Sequence, residues 1–197
     1  IKKIGIPDIS YKLIDTKIIV SDSLPALSAI KKGKDSSMWK SIESQISLDA
    51  DVSLSAGNTG VLLVMSKMIL KTLEDVDKPA LAGLWPNKTG LNVVLDLGAN
   101  VECSEKNLID FSEMGSALYQ SLYPNEKAKV ALLNIGSEEI KGHETIKKAY
   151  QILENKKNQL YDFCGYIEGN NIMAGRVNVI VTDGFTGNVA LKTAEGT

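Results

Sequence analysis

Short apolar runs alternate with longer stretches in which apolar residues return at helical spacing, and this alternation continues along most of the chain. Strand-like runs fall at 17–20, 52–55, 79–84, 92–97, 129–134, 162–167 and 177–182. Helical patterns lie between many of them, at 36–48, 59–73, 104–123, 138–155 and 187–195, with Ser or Asn near their starts as N-caps. Several strands are continuously apolar, as strands buried on both faces are. Strand and helix in alternation predict an α/β fold: a doubly wound, mostly parallel sheet with helices on both faces. No repeat of fixed period and no low-complexity linker marks a boundary, so a single α/β domain over residues 1–197 is the expectation. The chain begins with Ile1 rather than Met and stops within a helical pattern at Ala194-Glu195-Gly196-Thr197, which reads as a fragment lacking N- and C-terminal segments.

Composition narrows the class of protein. A chain of 197 residues, 44% hydrophobic and 23% charged, can bury a substantial core. The net charge of -2, with both signs intermixed, offers no field for nucleic acid. Cys103 and Cys164 are the two cysteines, without a Cys-x-x-Cys or Cys/His ligand spacing, so neither a disulfide framework nor a zinc site is indicated and a reducing cytoplasm fits. The most apolar segment, 61–73, carries Lys67 and Lys71 and is too short to span a bilayer, which makes it a buried helix.

The chemistry gathers where apolar runs end. Ser55-Ala56-Gly57-Asn58-Thr59-Gly60, Asp96-Leu97-Gly98-Ala99-Asn100, Asn134-Ile135-Gly136-Ser137, Glu168-Gly169-Asn170-Asn171 and Asp183-Gly184-Phe185-Thr186-Gly187-Asn188 are rich in Gly, Asn and Asp. Most of them close a strand and open a helix, the place where an open α/β sheet collects its ligand groups. Glycine there lets backbone N–H groups converge on an anion such as phosphate, while Asn58, Asn100 and Asn188 offer amides and Thr59 and Thr186 hydroxyls. Taken one at a time, each Gly-Asn pair also reads as a simple turn.

Absences are equally informative. No Gly-x-x-x-x-Gly-Lys-Ser/Thr, no Gly-x-Gly-x-x-Gly after a strand and no Gly-x-Ser-x-Gly elbow occurs. His143, the single histidine, follows Gly142 in a helix-like stretch away from any strong Ser or Cys nucleophile, and reads as a surface residue. Cys103 reads either as a thiol nucleophile or as a small buried hydrophobe. Lys141 stands between Gly136 and Gly142 soon after a strand-ending loop, within reach of an anion held at the crevice; a solvated loop lysine is the alternative.

Together these motifs resemble the PlsX-type phosphate acyltransferases of bacterial phospholipid synthesis. The resemblance runs in order through Lys34-Asp35-Ser36-Ser37-Met38, the Ser55–Gly60 stretch, Pro79-Ala80-Leu81, Val94-Leu95-Asp96-Leu97-Gly98-Ala99-Asn100-Val101 and Met114-Gly115-Ser116-Ala117. It continues through Leu132-Leu133-Asn134-Ile135-Gly136, Glu139-Ile140-Lys141-Gly142 and Asp183-Gly184-Phe185-Thr186-Gly187-Asn188-Val189-Ala190-Leu191-Lys192, covering nearly the whole chain. It implies a Rossmann-like, three-layer sandwich of the isocitrate/isopropylmalate dehydrogenase kind. It also implies a reaction in which inorganic phosphate attacks the thioester of an acylated acyl carrier protein, giving acyl phosphate and the free carrier. Such a reaction needs an anion cradle, alignment and a home for an oxyanion but neither a serine nor a histidine base, because phosphate is itself the nucleophile; no cofactor and no metal is expected.

On this resemblance Lys141 and Asn188 are the catalytic candidates, and Gly57, Asn58, Thr59, Gly98, Asn100, Asp183, Gly184 and Gly187 bind phosphate or substrate. It further implies a homodimer, a cytoplasmic location and peripheral association with the inner membrane face. Lys147, Lys148, Lys156 and Lys157 offer a docking face for the acidic carrier, or simply a solvated helix face. The competing readings are a phosphotransacetylase-like enzyme using acyl-CoA, a decarboxylating dehydrogenase, and a non-catalytic protein that binds acyl carrier protein.

Overall fold

The computed structural model describes residues 11–21, 26–47, 49–156 and 160–196. The chain divides into two compact units, one up to Lys71 and one from Thr72 onward.

In the first unit the described elements are the helices α1 (Ala26–Lys32), α2 (Ser37–Ile46) and α3 (Thr59–Leu70). Ser36 caps α2 by accepting from the Trp39 amide, and Asn58 caps α3 by accepting from the Val61 amide, so both starts fall where short polar side chains predicted them. Met38 and Ile42 of α2 meet Val61 and Met65 of α3 in a small core. The apolar segment 61–73 is therefore helical as far as Leu70, with Val61 and Met65 committed to that core and Leu73 exposed beyond the helix. The runs 17–20 and 52–55, expected as strands, are irregular. Among the described residues no neighbouring strand takes up their backbone groups, and Val52 and Leu54 lie exposed.

The second unit holds the sheet. Its strands are β1 (Ala82–Asn87), β2 (Gly90–Leu95), β3 (Ala128–Asn134), β4 (Tyr161–Glu168) and β5 (Val179–Val181), in the spatial order β1-β2-β5-β3-β4. β2, β5, β3 and β4 run parallel, and only β1 is antiparallel. β1 and β2 form a hairpin closed by Lys88-Thr89, with Asn87 opposite Gly90. Pro86 lies in β1, where it is tolerated because β1 is an edge strand and its missing N–H leaves no ladder bond unmade.

Alternate side chains of the central strands go to opposite faces. Val93, Leu95, Val130, Leu132, Val179 and Val181 pack with Leu108 and Phe111 of α4 (Glu105–Leu122) and with Ile146, Ala149 and Leu153 of α5 (Glu144–Asn155). Val94, Ala131, Leu133 and Ile180 face the other way, toward Leu191 of α6 (Gly184–Glu195) and Ile172 of a short 3-10 helix, Gly169–Ala174. Helices on both faces explain why these strands read as unbroken apolar runs. The α4 start is fixed by a reciprocal capping box: Ser104 Oγ accepts from the Asn107 amide, and Asn107 Oδ1 accepts from the Ser104 amide.

Candidate active site

β2, β5 and β3 all end at one edge of the sheet, and the segments that follow them diverge. The chain leaves β2 and β3 for the α4/α5 face, but leaves β5 for the α6 face, so a crevice opens where neighbouring connections part.

The first wall is built around Asp96, which is fully buried at the end of β2. Its Oδ1 accepts from the amides of Leu81 (3.1 Å), Gly98 (3.2 Å) and Ala99 (2.8 Å). Its Oδ2 accepts from the Asn100 amide and from Asn100 Nδ2, both at 2.8 Å. Asn100 Nδ2 also donates to the Pro79 carbonyl. The amide donors of the 98–100 turn, expected to face a phosphate, are thus aimed at a carboxylate of the same chain. That carboxylate fixes the turn's shape in the same way that an anion would.

The second wall is the start of α6. Asp183 caps it with both oxygens, Oδ1 accepting from the Thr186 amide and Oδ2 from the Thr186 hydroxyl, each at 2.8 Å. This cap starts the helix at Gly184, three residues before the apolar pattern suggests. The Gly184 amide donates to the Asn100 carbonyl at 2.7 Å. A Cβ on Gly184 would meet the Asn100 backbone, and one on Gly187 would overlap the Asp96 carbonyl oxygen. Glycine at both positions lets the helix lie backbone to backbone on the Asp96 turn. Asn188 completes the junction by covering Gly98 and donating through Nδ2 to the Leu97 carbonyl at 3.3 Å.

The third wall follows β3. Asn134 donates through Nδ2 to the Lys141 carbonyl, and the Lys141 amide donates to the Glu138 carbonyl, which folds 137–142 into a compact turn. Gly142 takes φ 91°, a left-handed conformation that ends this turn and delays α5 until Glu144, six residues later than the sequence pattern predicts. Lys141 is exposed, and among the described residues its ammonium has no recorded partner. His143 is the N-cap residue of α5 but makes no side-chain cap bond.

Between these walls the crevice has two lobes. One, of about 550 Å³, is bordered by Glu102, Cys103, Thr145 and Thr182; the other, of about 630 Å³, by Leu133, Ile135, Ile172 and Val189. His143, Ile146, Asp183, Phe185 and Thr186 line both. In the first unit, Gly57 borders a separate cavity of about 550 Å³ with Ser36, Ser37 and Met38, and Gly57, Asn58 and Thr59 are exposed at the start of α3.

A model of the fatty acid synthesis protein family matches residues 8–197. The chain belongs to this family. It is 61% identical over 192 residues to a phosphate acyltransferase of Pelagibacter ubique, covering 98% of this chain and 58% of that one. It is 47% identical over 170 residues to the phosphate acyltransferase of Brucella canis, covering 86% and 49%. The chain therefore spans about half the length of these curated relatives. Two solved structures resemble it in fold, each at 18% identity: a phosphotransacetylase from Streptococcus pyogenes (TM-score 0.62; 86% of this chain, 57% of that one) and the EutD phosphotransacetylase from Staphylococcus aureus (0.58; 90% and 66%).

In this member of the family Gly98, Asn100, Asp183, Gly184, Gly187 and Asn188 come together at one junction, where hydrogen bonds and close backbone packing hold α6 against the end of β2. Lys141 lies on the turn after β3, and Gly57, Asn58 and Thr59 belong to the other unit. His143 and Phe185, which nothing in the sequence marks as site residues, stand between the lobes. A helix cap directly after a left-handed glycine is the signal that would have marked His143.

Cys103 lies half-buried beside the same junction, its Sγ 3.7 Å from the Asn100 carbonyl. Burial, reinforced by the charge of Asp96, pushes its thiol up to about 11 from 9.0, which removes the thiolate that a nucleophile needs at neutral pH. With Cys164 replaced by serine, alkylation by iodoacetamide followed against pH should keep rising through 9 toward 11. A rate that levels off at or below 9 would show an activated thiol instead.

Proposed function

We propose that the protein at its full natural length is a phosphate acyltransferase: acyl-[acyl carrier protein] plus inorganic phosphate gives acyl phosphate plus the free carrier thiol. The observation that carries this reading is the crevice at the diverging strand ends, built from the stretches in which the family resemblance is densest. An oxygen of phosphate attacks the thioester carbonyl carbon, the carbonyl electrons move onto oxygen, and the C–S bond then breaks to release the carrier sulfur, which takes up a proton as the thiol. Lys141 supplies a cation to the incoming phosphate or to the oxyanion, and Asn188 holds the α6 start in register with the Asp96 turn. Gly57, Asn58 and Thr59, at the N-terminus of α3 in the first unit, are a second place where helix-start amides can hold an anion.

The rest of the reading concerns partners. Acyl carrier protein docks through lysines on and just after α5. Lys147 is paired with Glu144 (3.2 Å) and Lys156 with Glu113 (2.5 Å), while Lys157 lies outside the described residues, so Lys148 is the more available of the four. A homodimer in the cytoplasm, touching the inner membrane face peripherally, fits this role. Among the described residues no helix is long and apolar enough to cross a membrane.

The test incubates the full-length protein with acyl carrier thioester, with and without inorganic phosphate, and follows free thiol release together with hydroxylamine trapping of acyl phosphate. Phosphate-dependent thiol release matched by trapped acyl phosphate is the expected result. Faster turnover of acyl-CoA than of the carrier thioester would move the assignment to a phosphotransacetylase-like enzyme. Carrier binding without phosphate-dependent release would leave a non-catalytic carrier-binding protein.

A further inference from the structure

We infer that the second lobe of the crevice is the slot for the fatty acyl chain, and that Val189, on the first turns of α6, sets the chain length it takes. This inference rests on the phosphate acyltransferase reading and specifies the substrate end of that same site.

Three features of the lobe support it. Leu133, Ile135, Ile172, Phe185, Val189 and Ala190 border it, and three of these are large apolar side chains left well exposed: Ile135 by 81%, Phe185 by 62% and Val189 by 52%. Exposed apolar side chains gathered around one concavity mark a place where apolar matter binds. The lobe is also without usable charge. Its one carboxylate, Asp183, has both oxygens engaged by Thr186, and no lysine or arginine borders it. A phosphate or a carrier's acidic helix would find no cation there, whereas a neutral hydrocarbon loses nothing. Finally, the lobe shares His143, Asp183, Phe185 and Thr186 with the more polar lobe beside Cys103 and Thr182. A thioester carbonyl at that shared boundary leaves its alkyl tail to run between α6 and the end of β3. The cavity of about 630 Å³ lies within the ordinary range for small-molecule sites.

Val189 is the position to alter, since it faces the lobe from an exposed helical surface where a larger side chain displaces no core. The full-length protein carrying Val189→Trp or Val189→Ala is supplied with octanoyl and hexadecanoyl carrier thioesters in competition, and acyl phosphate of each length is quantified. Val189→Trp should lower kcat/KM for hexadecanoyl relative to octanoyl by about tenfold or more, through KM, because hydrophobic pockets discriminate by roughly that factor per methylene excluded. Val189→Ala should move the ratio the other way. An unmoved ratio in both variants, whether or not the rates themselves fall, overturns the inference and means that protein rather than acyl chain covers this surface. If the unsubstituted protein forms no acyl phosphate from either thioester, the reaction itself has failed and the slot fails with it.

Discussion

Replacing Asp96 with alanine is expected to lower the unfolding free energy by about 3–5 kcal/mol, the range for removing one member of a buried charged network. The carboxylate is the common acceptor for four backbone amides and the Asn100 side chain. Without it, Asn100 Nδ2 keeps the Pro79 carbonyl, but the recorded side-chain acceptor of the Leu81, Gly98, Ala99 and Asn100 amides is gone. Some of these amides will be hydrated where the turn is open, so the loss falls well short of five full hydrogen bonds. Asp96→Asn should lie between wild type and alanine, because its amide keeps one acceptor oxygen and turns two donors toward donors. Urea unfolding of the variants measures this as a fall in midpoint at constant slope. A loss below about 1 kcal/mol for alanine would mean that α6, through Gly184 and Gly187, holds the turn without the carboxylate.

Lys141→Ala is expected to do the reverse, sharply lowering the rate while sparing the fold. If its ammonium meets the phosphate or the oxyanion, kcat/KM for phosphate-dependent acyl phosphate formation should fall about 100- to 1,000-fold, the usual loss for one preorganised donor. Stability should stay within about 0.5 kcal/mol, as for an exposed side chain with no structural task. The turn itself is held through the main chain of Lys141, whose carbonyl accepts from the Asn134 side-chain amide and whose amide donates to the Glu138 carbonyl, and alanine keeps both. Lys141→Arg should recover part of the rate, since charge is retained with altered geometry. A kcat/KM within threefold of wild type for Lys141→Ala would remove the residue from the chemistry. Asn188→Ala gives the useful contrast, because it also breaks a bond between α6 and Leu97 and so should lower rate and stability together.

The two variants separate what sequence reveals from what it hides. The strands of the second unit were legible because burial on both faces writes itself as continuous apolar runs, and helix starts in both units because Ser36, Asn58 and Ser104 announce them. The β1–β2 hairpin was not, since Pro86 argues against a strand until β1 is seen to be an edge. The runs 17–20 and 52–55 have strand composition yet no strand beside them among the described residues, and composition does not report pairing. At the site, the glycine-rich stretches marked the crevice correctly as a place. They left open what each donor addresses: the 98–100 amides look free in the sequence, whereas Asp96 takes them once the chain turns back on itself. Gly184 and Gly187 likewise read as anion-loop glycines, although the structure gives them a contact with a strand end nearly ninety residues earlier in the chain.

The strand order has a consequence for how the protein is made. Among the described residues β5 comes after the other four strands in the sequence yet is the middle one in space, lying between β2 and β3. A chain emerging from the ribosome has β2, β3 and β4 available well before residues 179–181 appear, and until then β2 and β3 each present an unpaired hydrogen-bonding edge. Closure of that gap also delivers Asp183, Gly184 and Gly187 to the Asp96 turn, so β2 and β3 are bridged and that junction is formed in one event. A nascent or truncated chain that stops short of Val179 therefore carries two exposed strand edges at once, each able to pair with another chain.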